Sequence, residues 1–192
     1  MTVLMRVTEV SGRPVVTLHG DDVAQVRDVV YGGGNGEVAG FTLSGRGLLA
    51  GPLKQGLPWS GVRALGRDAV IIDDESVFRP RDDVVARAQA RGGDVFGSQV
   101  LTDAGLELGE VVDVVIDVDA YADVVGYEID PTEAVSKDNK RVLIPLPDTL
   151  AVSGERLIVP ASAVDFVTDD LAGFGAAVEE FRARLSQTGP EA

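Results

Sequence analysis

Apolar positions along the chain fall in short runs, dominated by valine and isoleucine and cut by Gly, Pro, Asn and Asp. Runs of this kind between turn residues predict β-strands. In the first half they cover Pro14–Leu18, Val26–Tyr31, Val38–Leu43 and Ala69–Ile72. In the second half they cover Gln99–Thr102, Val111–Asp117, Val124–Ile129, Arg141–Ile144, Arg156–Val159 and Val164–Val167. A helical period shows clearly only near the end. There Leu171, Phe174, Val178, Phe181 and Leu185 recur at spacings of 3 and 4 and predict one amphipathic helix over 169–187. Asp169 or Asp170 is its natural cap, and the tail 188–192 is expected to be disordered. Val84–Arg91, behind Asp82 and Asp83, fits either a short helix or an edge strand.

The strand pattern repeats. Gly12–Val30 and Gly97–Val115 align without a gap at an offset of 85 (97 − 12). Identical pairs include Gly12/Gly97, Val15/Val100, Thr17/Thr102, Gly20/Gly105 and Asp28/Asp113. One residue later, Val38–Leu43 matches Val124–Ile129, and Leu57–Val62 matches Val159–Val164. An ordered series of matches means two tandem copies of one unit. The expected division is 1–80 for the first copy and 81–168 for the second, with an insertion at 130–157 and then the helix. The fold class is all-β: two small tandem barrels plus a C-terminal α-helix. A unit of this size buries only about 60% of its chain surface, so packing of the copies or a homodimer is expected.

Composition narrows the chemistry. Lys plus Arg is 17 and Asp plus Glu is 31, a net charge of −14. Such a balance repels phosphate backbones, so no nucleic-acid partner is expected. There is no cysteine and one histidine, His19, which removes thiol chemistry, zinc fingers and multi-histidine metal sites. Aromatics are only 5%, so the core must be aliphatic. The start of the chain lacks the pattern of a signal peptide and no run reaches membrane-spanning length. The expectation is a soluble cytoplasmic protein without a membrane span.

The repeat units resemble the PRC-barrel family. The resemblance rests on Gly109–Val115 (Gly-Glu-Val-Val-Asp-Val-Val), Val125–Tyr127 (Val-Gly-Tyr) and Ile158–Val164 (Ile-Val-Pro-Ala-Ser-Ala-Val). The first copy matches more loosely through Ala24–Val30, Ala39–Phe41 and Leu57–Val62. The similarity implies strongly bent small β-barrels like those of the photosynthetic reaction-centre H subunit and of a ribosome-maturation factor. It also implies a binding module without catalytic residues of its own, in a cell-division, ribosome-assembly or membrane-complex setting.

Candidate chemistry is sparse. Asp28 and Asp113 hold equivalent places, which favours a shared fold requirement over paired acid–base work. Asp117, Asp119 and Asp123 lack the spacing of an EF-hand loop and read as a solvated hairpin. Gly32–Gly36 has no following helix and no Walker residues, and reads as a hairpin turn. His19 sits in a turn that the second copy fills with Ala104-Gly105, and reads as a surface residue. No catalytic, cofactor or metal residue is expected, and no cofactor. The candidate protein interface is Trp59 together with the stripe Leu171, Phe174, Val178, Phe181 and Leu185. Two readings of function follow: a non-enzymatic adaptor or scaffold binding a partner protein, or an ion- or small-ligand-responsive module using the acidic loops.

Overall fold

The computed structural model describes residues 3–32, 36–47, 49–86, 95–118, 122–138, 140–146, 152–153 and 156–187. The chain forms two compact units, each with one curled sheet. The first unit is Val7–Arg91 with Val118–Asp123; the second is Met1–Arg6, Gly92–Asp117 and Val124–Ala192. The units are therefore interleaved along the chain.

The second unit receives β1 (Leu4–Arg6), which pairs antiparallel with Val115–Asp117. The first unit opens with a single helical turn, α1 (Val7–Val10), then β2 (Pro14–Thr17), β3 (Asp22–Tyr31), β4 (Val38–Ser44) and β5 (Pro52–Pro58). β6 (Ala64–Leu65), β7 (Val70–Ile72), β8 (Arg79–Pro80) and α2 (Arg81–Ala86) complete it. Its sheet order is β6-β7-β2-β3-β4-β5-β8. The second unit follows with β9 (Gln99–Thr102), β10 (Glu107–Asp117), β11 (Asp123–Pro131), β12 (Val142–Pro145), β13 (Val152–Ser153), β14 (Arg156–Val159) and α3 (Leu171–Gln187). Its order, β13-β14-β9-β10-β11-β12, repeats β6-β7-β2-β3-β4-β5 of the first, with β1 added on β10 where the first unit adds β8 on β5.

The repeated residues explain the repeated geometry. Gly12 and Gly97 have φ of 84° and 77°, and Gly20 and Gly105 have 90° and 83°. Both pairs turn the chain at either end of β2 and β9, in a region that a Cβ disfavours. Bulges recur too: the β2–β3 register slips between Val15 and Val16, and the β10–β9 register between Glu107 and Gly109. Gly40 and Gly126 play a second, steric part. A Cβ at Gly40 would meet Pro58 Cα at 2.8 Å, and one at Gly126 would meet the Phe174 ring at 2.8 Å. Each lies against the carbonyl of its neighbouring strand, Leu57 or Ile144, so backbone passes backbone without room for a side chain.

The ladders revise the third sequence match. Gly40 pairs with Pro58 and Gly126 with Pro145. Val15 pairs in parallel with Val70, and Val100 with Leu157. Leu57-Pro58 therefore corresponds to Ile144-Pro145, and Trp59 to Leu146, whereas Val159-Pro160 corresponds to Ile72-Asp73. The span 130–157, read from the sequence as an insertion, contains β12 and β13, which take the places of β5 and β6. The cores agree with this pairing. Phe41, Leu43, Leu57, Val70 and Ile72 are fully buried in the first unit; Tyr127, Ile129, Ile144, Leu157 and Val159 are buried at the matching places in the second.

Val164–Val167 is not a strand. Ala161–Phe166 form a 3-10 helix behind Pro160, and the Ala161 N–H donates to Asp103 at 2.9 Å. Its apolar residues Ala163 and Phe166 are three apart, a spacing that the apolar run hides at sequence level. The helix option for 84–91 holds as far as it is described: α2 begins earlier, at Arg81, with Asp82 and Asp83 in its first turn. Residues 87–91 and the tail 188–192 lie outside the described residues.

α3 packs on its own unit. Asp170 caps it by accepting from the N–H groups of Ala172 (3.1 Å) and Gly173 (3.0 Å). Phe174 and Val178 join Val115, Val125 and Leu143 in one cluster, with Leu4, Leu171 and Ala177 against it. Phe181 is fully buried with its ring 5.2 Å from Phe166, and Arg184 reaches Asp165 at 2.9 Å.

Candidate functional site

The polar residues singled out by the repeat serve the fold. Asp28 lies on β3 opposite Thr42 of β4. The Thr42 hydroxyl donates to the Asp28 carboxylate at 2.9 Å, and the Asp28 N–H donates back to that hydroxyl at 3.1 Å. Asp113, its counterpart on β10, is buried and accepts from the Val114 N–H at 2.8 Å. Where the first copy has Thr42 the second has Glu128, also buried. Arg6 of β1 donates to Glu128 through Nη2 (2.9 Å) and Nε (3.2 Å). Asp28 and Glu128 thus accept hydrogen bonds from neighbouring strands, and Asp113 from its own strand.

Arg13 is buried beside α1. Its guanidinium donates to the carbonyls of Glu9 (2.8 Å) and Gly66. Burial lowers its pKa, and the nearby charges of Glu9 and Asp68 oppose that. The Asp74 carboxyl is held below its ordinary range, chiefly by hydrogen bonds from Ser76 and to a lesser extent by the charge of His19. His19 itself is exposed in the turn after β2.

One open cleft of about 330 Å³ lies in the first unit, lined by Asp21, Asp22, Val23, Arg46 and Glu75. It is polar and opens broadly to solvent. Among the described residues no group of three or more acidic or histidine side chains converges as a metal-ligand set. Of the acids considered for a cation, Asp119 lies outside the described residues. Asp117 pairs with Leu4 in the β1–β10 ladder and Asp123 bridges Glu37. Gly32–Gly36 joins the antiparallel strands β3 and β4, with the Gly32 N–H donating to the Glu37 carbonyl at 2.6 Å; Gly33–Asn35 lie outside the described residues.

The interface candidates separate into two groups. Phe174, Val178 and Phe181 are buried inside their own unit, and Leu171 and Leu185 are half-buried at the rim of the helix. The stripe is thus already covered by β12, β1 and the 3-10 helix, and its aromatic members offer no free surface. Trp59 is half-buried after β5, its ring edge-on to Phe41 at 6.1 Å, with part of its surface open.

Other apolar side chains face outward that the sequence pattern did not single out. Leu18 is 55% exposed, Leu106 45% and Ile158 37%. Ile158 on β14 pairs with Leu101 on β9, and the flanking Leu157 and Val159 point into the core. The matching pair in the first copy is Val16 and Ile71, both half-buried. The run Leu157-Ile-Val159 is apolar throughout, so no alternation marks which member faces out.

The curled sheets, their shared strand order and the duplicated turn glycines define a tandem-barrel protein. The PRC-barrel domain profile matches residues 3–77 and 89–166. The chain belongs to the PRC-barrel family, as two tandem copies. Comparison with curated proteins returned no match. Among the described residues no helix is long and apolar enough to cross a membrane.

Proposed function

We propose that this chain is a non-enzymatic cytoplasmic adaptor that docks a partner protein and works as a homodimer. The observation that carries the reading is the contrast between its polar and apolar groups. The acids that the repeat singles out, Asp28 and Asp113, accept hydrogen bonds within their own units, whereas exposed Ile158, paired with half-buried Leu101, presents an apolar surface on the second sheet. Apolar side chains fixed on strands suit protein docking, because little conformational entropy is lost when they are covered. Trp59, half-buried on the first unit, is a separate candidate anchor of that unit.

The test is crosslinking and capture from lysate with wild type, Ile158→Asp, Trp59→Ala and a surface control, Lys54→Ala. All are to be checked for folding by circular dichroism. Loss of the same captured protein from Ile158→Asp or Trp59→Ala, but not from the control, supports the adaptor reading. Identical capture by all four folded proteins removes both anchors. A melting temperature raised by several degrees with millimolar calcium would instead favour an ion-responsive module.

A further inference from the structure

Resting on the homodimer reading above, we propose that β1 is an exchangeable strand and that a second copy of this chain supplies it in the dimer. The seat is built from the second unit. Leu4, Met5 and Arg6 pair with Asp117, Ile116 and Val115 on β10. Met5 is buried at 6%, and Leu4 packs against the cluster of Val115, Val125, Leu143, Phe174 and Val178. Arg6 places two donors on one oxygen of Glu128, whose side chain is only 10% exposed. The seat thus recognises a short extended segment of two apolar residues followed by arginine.

The junction points to exchange. Arg6 ends β1 in the second unit and Val7, the next residue, begins α1 in the first. No spacer residue separates them. A strand held in one compact unit and continued without slack into another is the arrangement from which domain-swapped dimers form at low cost. The contacts that hold β1 in the seat include ladder hydrogen bonds, apolar packing and the Arg6–Glu128 pair. A second copy offers each of them unchanged, so concentration and the freedom of the junction decide between the two closures. The chain's own high effective concentration favours closure within one molecule when dilute, and raising the protein concentration favours exchange.

The absence of cysteine makes a clean test. Leu4 and Asp117 face each other across an antiparallel ladder. Their Cα atoms therefore lie about 4.5–5.5 Å apart, inside the range a disulfide spans. The full-length Leu4→Cys/Asp117→Cys protein, concentrated and oxidised, should run as a covalent dimer on a denaturing gel and return to the chain mass on reduction. Should the cysteines perturb the seat, a charge exchange gives an independent reading. Arg6→Glu and Glu128→Arg chains each lose the ion pair, and mixing them restores a complementary pair only between molecules. Native mass measurement should then show a mixed dimer enriched over either variant alone. A native dimer carrying only intrachain disulfides, with no enrichment on mixing, overturns strand exchange and leaves the homodimer standing. A monomer at every concentration with intrachain disulfides overturns both.

Discussion

At the residue scale, the two copies show how one position changes character while its place is kept. Asp28 is exposed and shares its hydrogen bonds with Thr42, whereas Asp113 is buried beside a copy that has Glu128 in place of Thr42. The sequence reveals the equivalence of the two aspartates but not the difference in burial. Nor does it reveal that Arg6 comes from far along the chain to meet Glu128. Tyr127 offers a measurable residue of this kind. It takes the place of Phe41 in the second core, where burial pushes its phenol pKa up to about 12. In the unfolded chain the same phenol titrates near its ordinary value of about 10. Stability from this group is therefore intact below about pH 10 and is lost as pH rises toward 12, by about 2–3 kcal/mol in all. A spectroscopic titration of wild type minus Tyr127→Phe should place the Tyr127 step near pH 12. The Tyr127→Phe protein should also lose less stability in alkaline denaturant melts. A difference step near pH 10 would show that the phenol is open to water.

At the element scale, most strands were legible because β-rich runs between turn residues are a local signal. Gln99–Thr102 and Arg156–Val159 lie where the pattern puts them. One strand and one correspondence are hidden in the sequence. β5 runs Pro-Leu-Lys-Gln-Gly-Leu-Pro, too polar in its middle to read as a strand, and exists because β4 and β8 flank it. The correspondence of Leu57-Pro58 is ambiguous in the sequence because an apolar residue before proline occurs at both Ile144-Pro145 and Val159-Pro160, and only the ladder distinguishes them. The C-terminal helix was legible throughout, from its Asp170 cap to its stripe, since its period is local. What covers that stripe was not, because the cover is tertiary. Its burial fixes a gradient of cost along one face. Phe174→Ala, at full burial against Gly126 and Leu143, should destabilise by about 3–5 kcal/mol, and Phe181→Ala by a similar amount. Leu185→Ala, at the half-buried rim, should cost less than about 1.5 kcal/mol. Urea melts of the three variants test the order. Equal small effects from all three would mean that the helix does not pack on its sheet.

At the scale of the whole molecule, the net charge of −14 sets two opposing electrostatic effects against each other. Exposed pairs such as Arg63–Asp73 (2.8 Å) and Arg184–Asp165 (2.9 Å) attract, and salt weakens them. Each is worth about 0–1 kcal/mol. The acidic excess repels itself over longer distances, and salt weakens that too, since the screening length falls from about 30 Å at 10 mM to about 8 Å at 150 mM. Contact pairs at under 3 Å lie well inside either screening length, whereas repulsion summed over a domain does not. Screening therefore removes more repulsion than attraction, and the melting temperature should rise by a few degrees between those two salt concentrations. Association should follow the same sign, because two chains of charge −14 must approach to dimerise. Calorimetry and sedimentation across a sodium chloride series read both quantities on one sample. A melting temperature that falls with salt would mean that the intrachain ion pairs outweigh the excess charge, whereas the dimer fraction should rise with salt in either case.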